Sequence, residues 1–303
     1  MSTRSGDPLV TIALPVYNGA DTVSSVVGSV LGQTRGDLEL VISDNASTDE
    51  TEDVCRALAR QDSRIVYVRQ PTNVGINNNF HQAARRARGR YLRWIGDDDS
   101  LEPTYVERAV AEFALDERRV VVTTEIVYTG ADGGETRATD YDPSSLSSAD
   151  PVERLAGLLR MLTSGFARLD PLYAMLRREV ALLPRRDLLR EDEVFAARMA
   201  LAGPWGHVAA PLAHRRRSEV STPDLVRLIG VPSWQRHAMD LLQCRELVTW
   251  INRSSLDPAQ ARRARAEVAL MYARRKRNKV LRGVAKVERT AHGTLRLATG
   301  DAR

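Results

Sequence analysis

Short apolar runs alternate with longer amphipathic ones along the first 130 residues, and no other feature of the chain narrows its fold so far. Residues 9–14 (LVTIAL), 38–42 (LELVI), 65–69, 91–95 and 120–128 read as buried strands. Pro15 is expected to end the first of them. Between them, residues 21–33 carry Val23, Val26, Val27, Val30 and Leu31 at helical spacing, with Asp21 as an expected N-cap. Ser47 and Glu50 match a capping box that opens a helix running to Gln61. Residues 80–88 and 103–116 are the next helices. Strand–helix alternation of this kind predicts an α/β fold with a mainly parallel sheet flanked by helices. Ligands of such sheets bind beyond the C-terminal ends of the strands. The strand ends to examine are therefore Pro15-Val16-Tyr17-Asn18, Asp44-Asn45, Asn73-Val74-Gly75 and Gly96-Asp97-Asp98-Asp99.

Further along, residues 129–151 are rich in Gly, Asp and Ser and read as a flexible surface loop. Residues 152–163 and 190–202 read as helices, 172–176 as a strand, and 206–210 as a short strand. Beyond Pro223 and Pro232 the pattern is helical: 234–253, then 258–286. With 303 residues, the chain is long enough for one large domain and an appendage. The expected division is a main domain over residues 1–222, in two halves at 8–105 and 106–222, and a helical C-terminal extension over 223–303.

Three adjacent carboxylates at a strand end repel one another, and a divalent cation removes that cost. Hard cations such as Mg2+ or Mn2+ often bind through one or two carboxylates plus substrate phosphates. The other reading of Asp97–Asp99 is a solvated turn capping the next helix. Asp44-Asn45 could serve local turn chemistry or accept hydrogen bonds from a base or ribose. Tyr17 could stack on a nucleobase, and Gly75 permits close backbone approach to a ligand.

Taken in order, these stretches resemble the inverting family 2 glycosyltransferases of the GT-A fold. The matching residues are Pro15-Val16-Tyr17-Asn18, the run from Val41 to Asp49, Asn73-Val74-Gly75, Gly96-Asp97-Asp98-Asp99 with Pro103, Glu191-Asp192 with Arg198 and Gly203, and Arg215 with Ser221. The match covers roughly residues 8–221. The resemblance implies that a sugar moves from a nucleoside-diphosphate donor, a UDP-sugar by family precedent, to an acceptor hydroxyl with inversion. It implies a nucleotide-sugar pocket lined by Pro15, Tyr17, Asn18, Asp44, Asn73 and Gly75. Asp97 and Asp98 would lie at the ribose and diphosphate, with Asp98 or Asp99 on the metal. Asp192 would be the general base, with Glu191 as the other candidate. The products expected under this resemblance are polysaccharides, glycolipids or glycosylated natural products, and the catalytic domain over 1–222 would divide into a nucleotide-sugar half at 8–105 and an acceptor half at 106–222. Ser43 stands where many relatives carry a second aspartate, and Gly96 where many begin an Asp-x-Asp-Asp run. His214 and Arg217 replace the tyrosine and histidine of the family's Tyr-Arg-x-His stretch. Arg215 and Arg217 are either diphosphate contacts or a solvated basic turn.

Other activities find less in the sequence. A sugar-nucleotide nucleotidyltransferase would carry a basic, Gly-rich loop after the first strand, and residues 15–21 hold no basic residue. No GxGxxG follows a strand, and there is no P-loop. The net charge of +5 gathers in the tail, from Arg262 to Arg289. That tail is either a solvated face of helices packed on the catalytic domain or a peripheral contact with an anionic membrane. A non-catalytic protein binding through it is the remaining alternative. Aromatic residues make up only 5 %, so stacking on nucleic acid is not expected. Cys55 and Cys244 form no close pair, and the N-terminus has no secretory pattern. A cytoplasmic enzyme, at most peripheral to the inner face of the membrane, is expected.

Overall fold

The computed structural model describes residues 7–138, 144–164, 171–216 and 220–298, and of residues 282–298 the backbone alone. The alternation becomes a nine-stranded sheet in the order β3-β2-β1-β4-β8-β6-β9-β5, with β7 paired to β6. The strands β1 (Val10–Val16), β2 (Leu38–Asp44), β3 (Ile65–Arg69) and β4 (Tyr91–Trp94) are mutually parallel. Helices α1 (Val23–Leu31), α2 (Thr51–Gln61) and α3 (Ile76–Arg85) connect them. The sheet turns antiparallel at β8 (Met175–Arg177), which joins β4 to β6 (Val121–Thr129). Two large apolar clusters cover its faces. Each fully buried Val, Leu or Ile among them contributes about 1.5–3 kcal/mol relative to exposure.

Several expectations are corrected here. Pro15 does not end β1, which continues to Val16 with Pro15 opposite Ser43. Ala13 O accepts from Ile95 N on the β4 side, so Pro15, two residues on, turns its donor-less nitrogen to the same side. There β4 has already ended, so no ladder bond is lost. Asp21 is not the N-cap of α1; Thr22 holds that position and makes no side-chain cap. The Ser47–Glu50 capping box does not form. Ser47 Oγ donates to Asp44 instead, at 2.6 Å, and the helix starts at Thr51, whose amide bonds Asp49. A buried carboxylate is the stronger acceptor for Ser47.

Helix α3 starts one turn earlier than its composition suggests. Asn77–Asn79 are weak helix formers, but Asn79 is buried and bonded both ways to Ser43 (2.7 and 2.8 Å). The stretch expected to be a flexible loop contains β7 (Glu135–Ala138), a hairpin partner of β6. Its residues 139–143 lie outside the described residues. Helices α4 (Tyr105–Ala114) and α5 (Pro151–Ser164) fall close to expectation. Residues 171–173 form a 3-10 turn, with β8 and the short α6 (Arg178–Ala181) after it.

The strand expected at 206–210 is β9 (Trp205–Arg216), which passes a bulge opposite Glu125 and keeps pairing with β6. Its far end also pairs with β5 (Ser100–Leu101), a two-residue strand that the sequence did not suggest. Helix α7 (Glu191–Ala202) is followed after β9 by α8 (Thr222–Ile229), α9 (Gln235–Arg253) and α10 (Pro258–Ala298). Leu247, Ile251, Val268 and Met271 from α9 and α10 enter the same cluster as α5 and α7.

The C-terminal helices also reach α7 through charge. Arg275 on α10 turns inward to Glu193 on α7, and to Gln243 and Asp240 on α9. Gln243 Nε2 donates to Glu193 at 2.9 Å, and Arg190 Nη1 pairs with the same carboxylate at 2.6 Å. Arg275 therefore does not belong to a solvated basic face, although it sits in the basic run. Its side chain is 9 % exposed.

Candidate active site

The loops after the parallel strands meet on one rim. Among the described residues, Asn18 and Ala46 there, and Arg190 across the pocket described below, are the non-glycine residues with positive φ (55°, 61° and 67°). Backbone in that region costs about 1–3 kcal/mol per residue and gathers at functional sites. Asn18 Oδ1 accepts from Thr48 N at 2.8 Å, and Asn18 N donates to Ser47 Oγ, so the loops after β1 and β2 lock together. Tyr17 beside them is 45 % exposed.

Asp44 lies at the floor of this rim, fully buried. Its carboxylate accepts from Ser47 N and Oγ, from Tyr67 at 2.7 Å, and from Arg69 at 2.8 Å. Burial alone would raise its pKa, but these hydrogen bonds outweigh burial and hold it below the ordinary value. Both oxygens thus serve the loop's own architecture. Asn73 behaves similarly: its Oδ1 accepts from Asn45 Nδ2 and Gly75 N. Gly75 has φ 83° and starts α3, which explains a glycine there. Tyr67 and Arg69 went unnoticed in the sequence because a strand interior gives no sign of which side chains turn to the rim.

The acidic turn follows β4, next to β1. A Cβ on Gly19 would lie 3.1 Å from Asp97 Oδ2, so the first loop closes directly over the turn. Asp99 is buried. Its oxygens accept from Gly96 N at 2.9 Å and from Arg215 Nε at 3.2 Å each. A Cβ on Gly96 would come 3.0 Å from Asp99, which accounts for glycine at that position. The pairing of Ser100 with His214 carries Arg215 to Asp99, so β5 and the end of β9 build this contact. Asp98 is exposed. Burial, then the charges of Asp98 and Asp99, raise Asp97 above the ordinary carboxylate pKa. Partial desolvation and Asp99 do the same to Asp98. Two carboxylates so placed gain from a divalent cation, and donor phosphates can complete its shell. Among the described residues no group of three or more His, Cys, Asp or Glu side chains could hold a metal by itself. The set therefore suits a cation only where substrate oxygens complete its shell, and Asp99, expected with Asp98 as a metal ligand, is already engaged by Gly96 and Arg215. Arg217 lies outside the described residues.

A second pocket adjoins the rim. The Arg215 guanidinium stacks 3.5 Å over the Tyr173 ring, and Tyr173 lines a cavity together with Arg185, Glu191 and Asp192. Helix α3 contributes Ile76 and Asn77, the two residues after Gly75. Glu191 and Asp192 are thereby brought beside the acidic rim from residues about 90 positions away in sequence. Asp192 is exposed at this cavity, whereas Glu191 is buried beneath it, with Arg185 Nε 3.7 Å away. Burial pushes Glu191 up to about 7, against the opposing pull of Arg185. Tyr173 and Arg185 carry no signal in the sequence; only the packing of the 3-10 turn against α7 reveals them. Arg198 does not face the cavity. It stacks on Trp250 at 3.7 Å and ties α7 to α9.

The raised Glu191 has a sign that can be checked. Its folded pKa lies above the ordinary 4.5, so the folded state binds the extra proton. Stability should therefore fall as pH rises from about 4.5 to about 7, by up to about 3 kcal/mol. Urea unfolding of Glu191→Gln across that window should lack this slope. An identical slope in both proteins would mean that Glu191 is not the group responsible.

A model of glycosyl transferase family 2 matches residues 11–181. The chain is 38 % identical over 117 residues to the chondroitin synthase of Pasteurella multocida (strain Pm70), a stretch covering 39 % of this chain and 12 % of that protein. It is 30 % identical over 146 residues to the putative teichuronic acid biosynthesis glycosyltransferase TuaG of Bacillus subtilis (strain 168), covering 48 % and 58 %. The chain thus spans only part of the length of these relatives. Residues 1–349 of S. aureus TarS in complex with UDP-GlcNAc superpose with a TM-score of 0.62 at 16 % identity, over 87 % of this chain and 72 % of that one. The mannosyltransferase PcManGT from Pyrobaculum calidifontis, in complex with GDP-Man and Mn2+, gives 0.51 at 19 % identity, over 95 % and 81 %. At such identities the likeness shows the fold.

Proposed function

The chain belongs to glycosyl transferase family 2, and from that premise we propose that it transfers a sugar from a UDP-sugar to an acceptor hydroxyl, with inversion and with the help of Mn2+ or Mg2+. The observation that carries this reading is the adjacency of two sites. One is an acidic, strand-end turn with open carboxylates; the other is a cavity holding Asp192, with Arg215 and Tyr173 between them. The UDP-GlcNAc complex of TarS supports a uridine donor, and the Mn2+ complex of PcManGT supports the cation.

Tyr17 is the exposed ring available to the base, and the Asn18–Thr48 and Asn45–Asn73 locks hold the loops that surround it. Asp98 holds the metal, with Asp97 beside it. Asp99 acts as a positioning residue that fixes Arg215 near the donor phosphates. The cation, when bound, stabilises the charge that develops on the departing nucleoside diphosphate. Asp192 takes the proton of the acceptor hydroxyl as that oxygen attacks the anomeric carbon. One displacement needs one base, so the anomeric centre inverts. The catalytic unit is residues 1–222, and α9 and α10 support it by gripping α7.

Calorimetry against UDP, GDP and dTDP, each with Mn2+ and with EDTA, tests the donor. Mn2+-dependent binding of UDP is expected; binding of no nucleotide in either condition would overturn the reading. Part of the basic tail also suits a cytoplasmic, peripheral membrane location. Leu270, Val280 and Leu281 stand exposed on α10 among Arg277 and Lys279. Among the described residues no helix is long and apolar enough to cross a membrane. Sedimentation with anionic liposomes at low salt is expected, and its failure would leave the tail a packing element alone.

A further inference from the structure

The cavity that holds Asp192 has a volume of about 200 Å³. Eight of its thirteen lining side chains are apolar or aromatic. Its charged groups, Arg185, Arg190, Glu191 and Asp192, all come from the segment entering α7, and Asn77 of α3 adds an amide. Helix α8 lines it through Leu225, Leu228 and Ile229, and α3 through Ile76 and Phe80. Two of these residues remain open to solvent beside the pocket, Leu228 at 51 % and Ile76 at 37 %. Leu225 and Ile229 pack partly onto the small cluster of Leu189, Val226 and Val231, which fixes α8 in place. Ser221 caps α8, and Gly230 ends it in the left-handed conformation, so the wall is a formed helix.

The charged groups of this cavity suit a hydroxyl and its departing proton. The apolar lining does not suit a second sugar. Hydroxyls of a polysaccharide segment would lose water there and meet hydrocarbon, with no partner to replace the bonds they give up. An alkyl or aromatic body would instead remove Leu228 and Ile76 from water. Resting on the glycosyltransferase reading above, we propose that the acceptor carries its reacting hydroxyl on or beside an apolar body, an alkyl or aromatic group seated against α8. Helix α8 lies beyond residues 11–181, which the family model matches.

The test uses the full chain and two probes that differ only in the apolar part: octyl β-D-glucoside, below its micelle concentration, and methyl β-D-glucoside. Each is titrated calorimetrically into protein saturated with UDP and Mn2+. Burying about 60 Å² of the alkyl chain corresponds to a tenfold gain, so the octyl glucoside is expected to bind at least about tenfold more tightly. Leu228→Glu should erase that difference while UDP binding stays as in the wild type; Leu228→Ala should reduce it. Equal affinities for the two glucosides, binding of neither, or an octyl preference untouched by Leu228→Glu would each overturn the proposal. A protein that binds UDP but not the octyl glucoside fails this inference alone, whereas one that binds no nucleotide fails the donor reading first.

Discussion

Asp192→Asn is expected to bind UDP and Mn2+ as the wild type does and to turn over about 10²–10⁴-fold more slowly. The side chain keeps its size and loses only its capacity to accept a proton. It is exposed at the cavity and lies on the first turn of α7, where the helix dipole favours a carboxylate but does not require one. The fold should therefore survive, and a thermal melt serves as the control. The decisive measurement pairs single-turnover kinetics with calorimetry. Unchanged turnover would hand the proton to another group, with Glu191 next in line, because its pKa near 7 suits a base at neutral pH. A loss of UDP affinity together with rate would place Asp192 in the donor site instead.

Asp98→Asn is expected to bring the UDP affinity measured in Mn2+ down to the value measured in EDTA, a loss of about 100-fold or more if the metal's protein ligand is removed. The contrast with Asp99→Asn sharpens the assignment. Asp99 is already engaged by Gly96 N and Arg215 Nε, whereas Asp98 is exposed beside it. Asp99→Asn should keep much of the Mn2+ dependence and lower stability, since it removes the carboxylate that Arg215 reaches. If Asp99→Asn alone abolishes the Mn2+ dependence, the metal is held by Asp99 and the Arg215 contact opens when it binds. That outcome would reverse the two roles.

Strands β1, β2 and β4 were legible because their runs are mostly apolar, a pattern that burial on both faces imposes. The acidic turn, the three asparagine-bearing strand ends and the Glu191-Asp192 pair were legible as residue types in order. Local hydrogen-bond assignments fared worse. The Ser47–Glu50 capping box and the Asp21 cap were both plausible from spacing. The first failed because Ser47 donates to the buried Asp44 instead, and the second because α1 starts at Val23 with Thr22 at its N-cap. The same competition gave Asn79 a place inside a helix that its propensity disfavours.

What the sequence determined by itself was therefore the order of the elements from β1 to β4, the rim on which the loops gather, and the family to which the motifs belong. These depend on periodicity and on chemistry carried within a few residues. What only the tertiary structure decided was which carboxylate is open and which is spent. Asp44 is saturated by Tyr67 and Arg69, Asp99 is held by Arg215, Glu191 is buried, and Asp98 and Asp192 remain exposed. A carboxylate's state depends on solvent access and on partners brought from up to 116 positions away. Pairing of β2 with β3, and of β5 with β9, supplies those partners, and no local pattern in the chain encodes them.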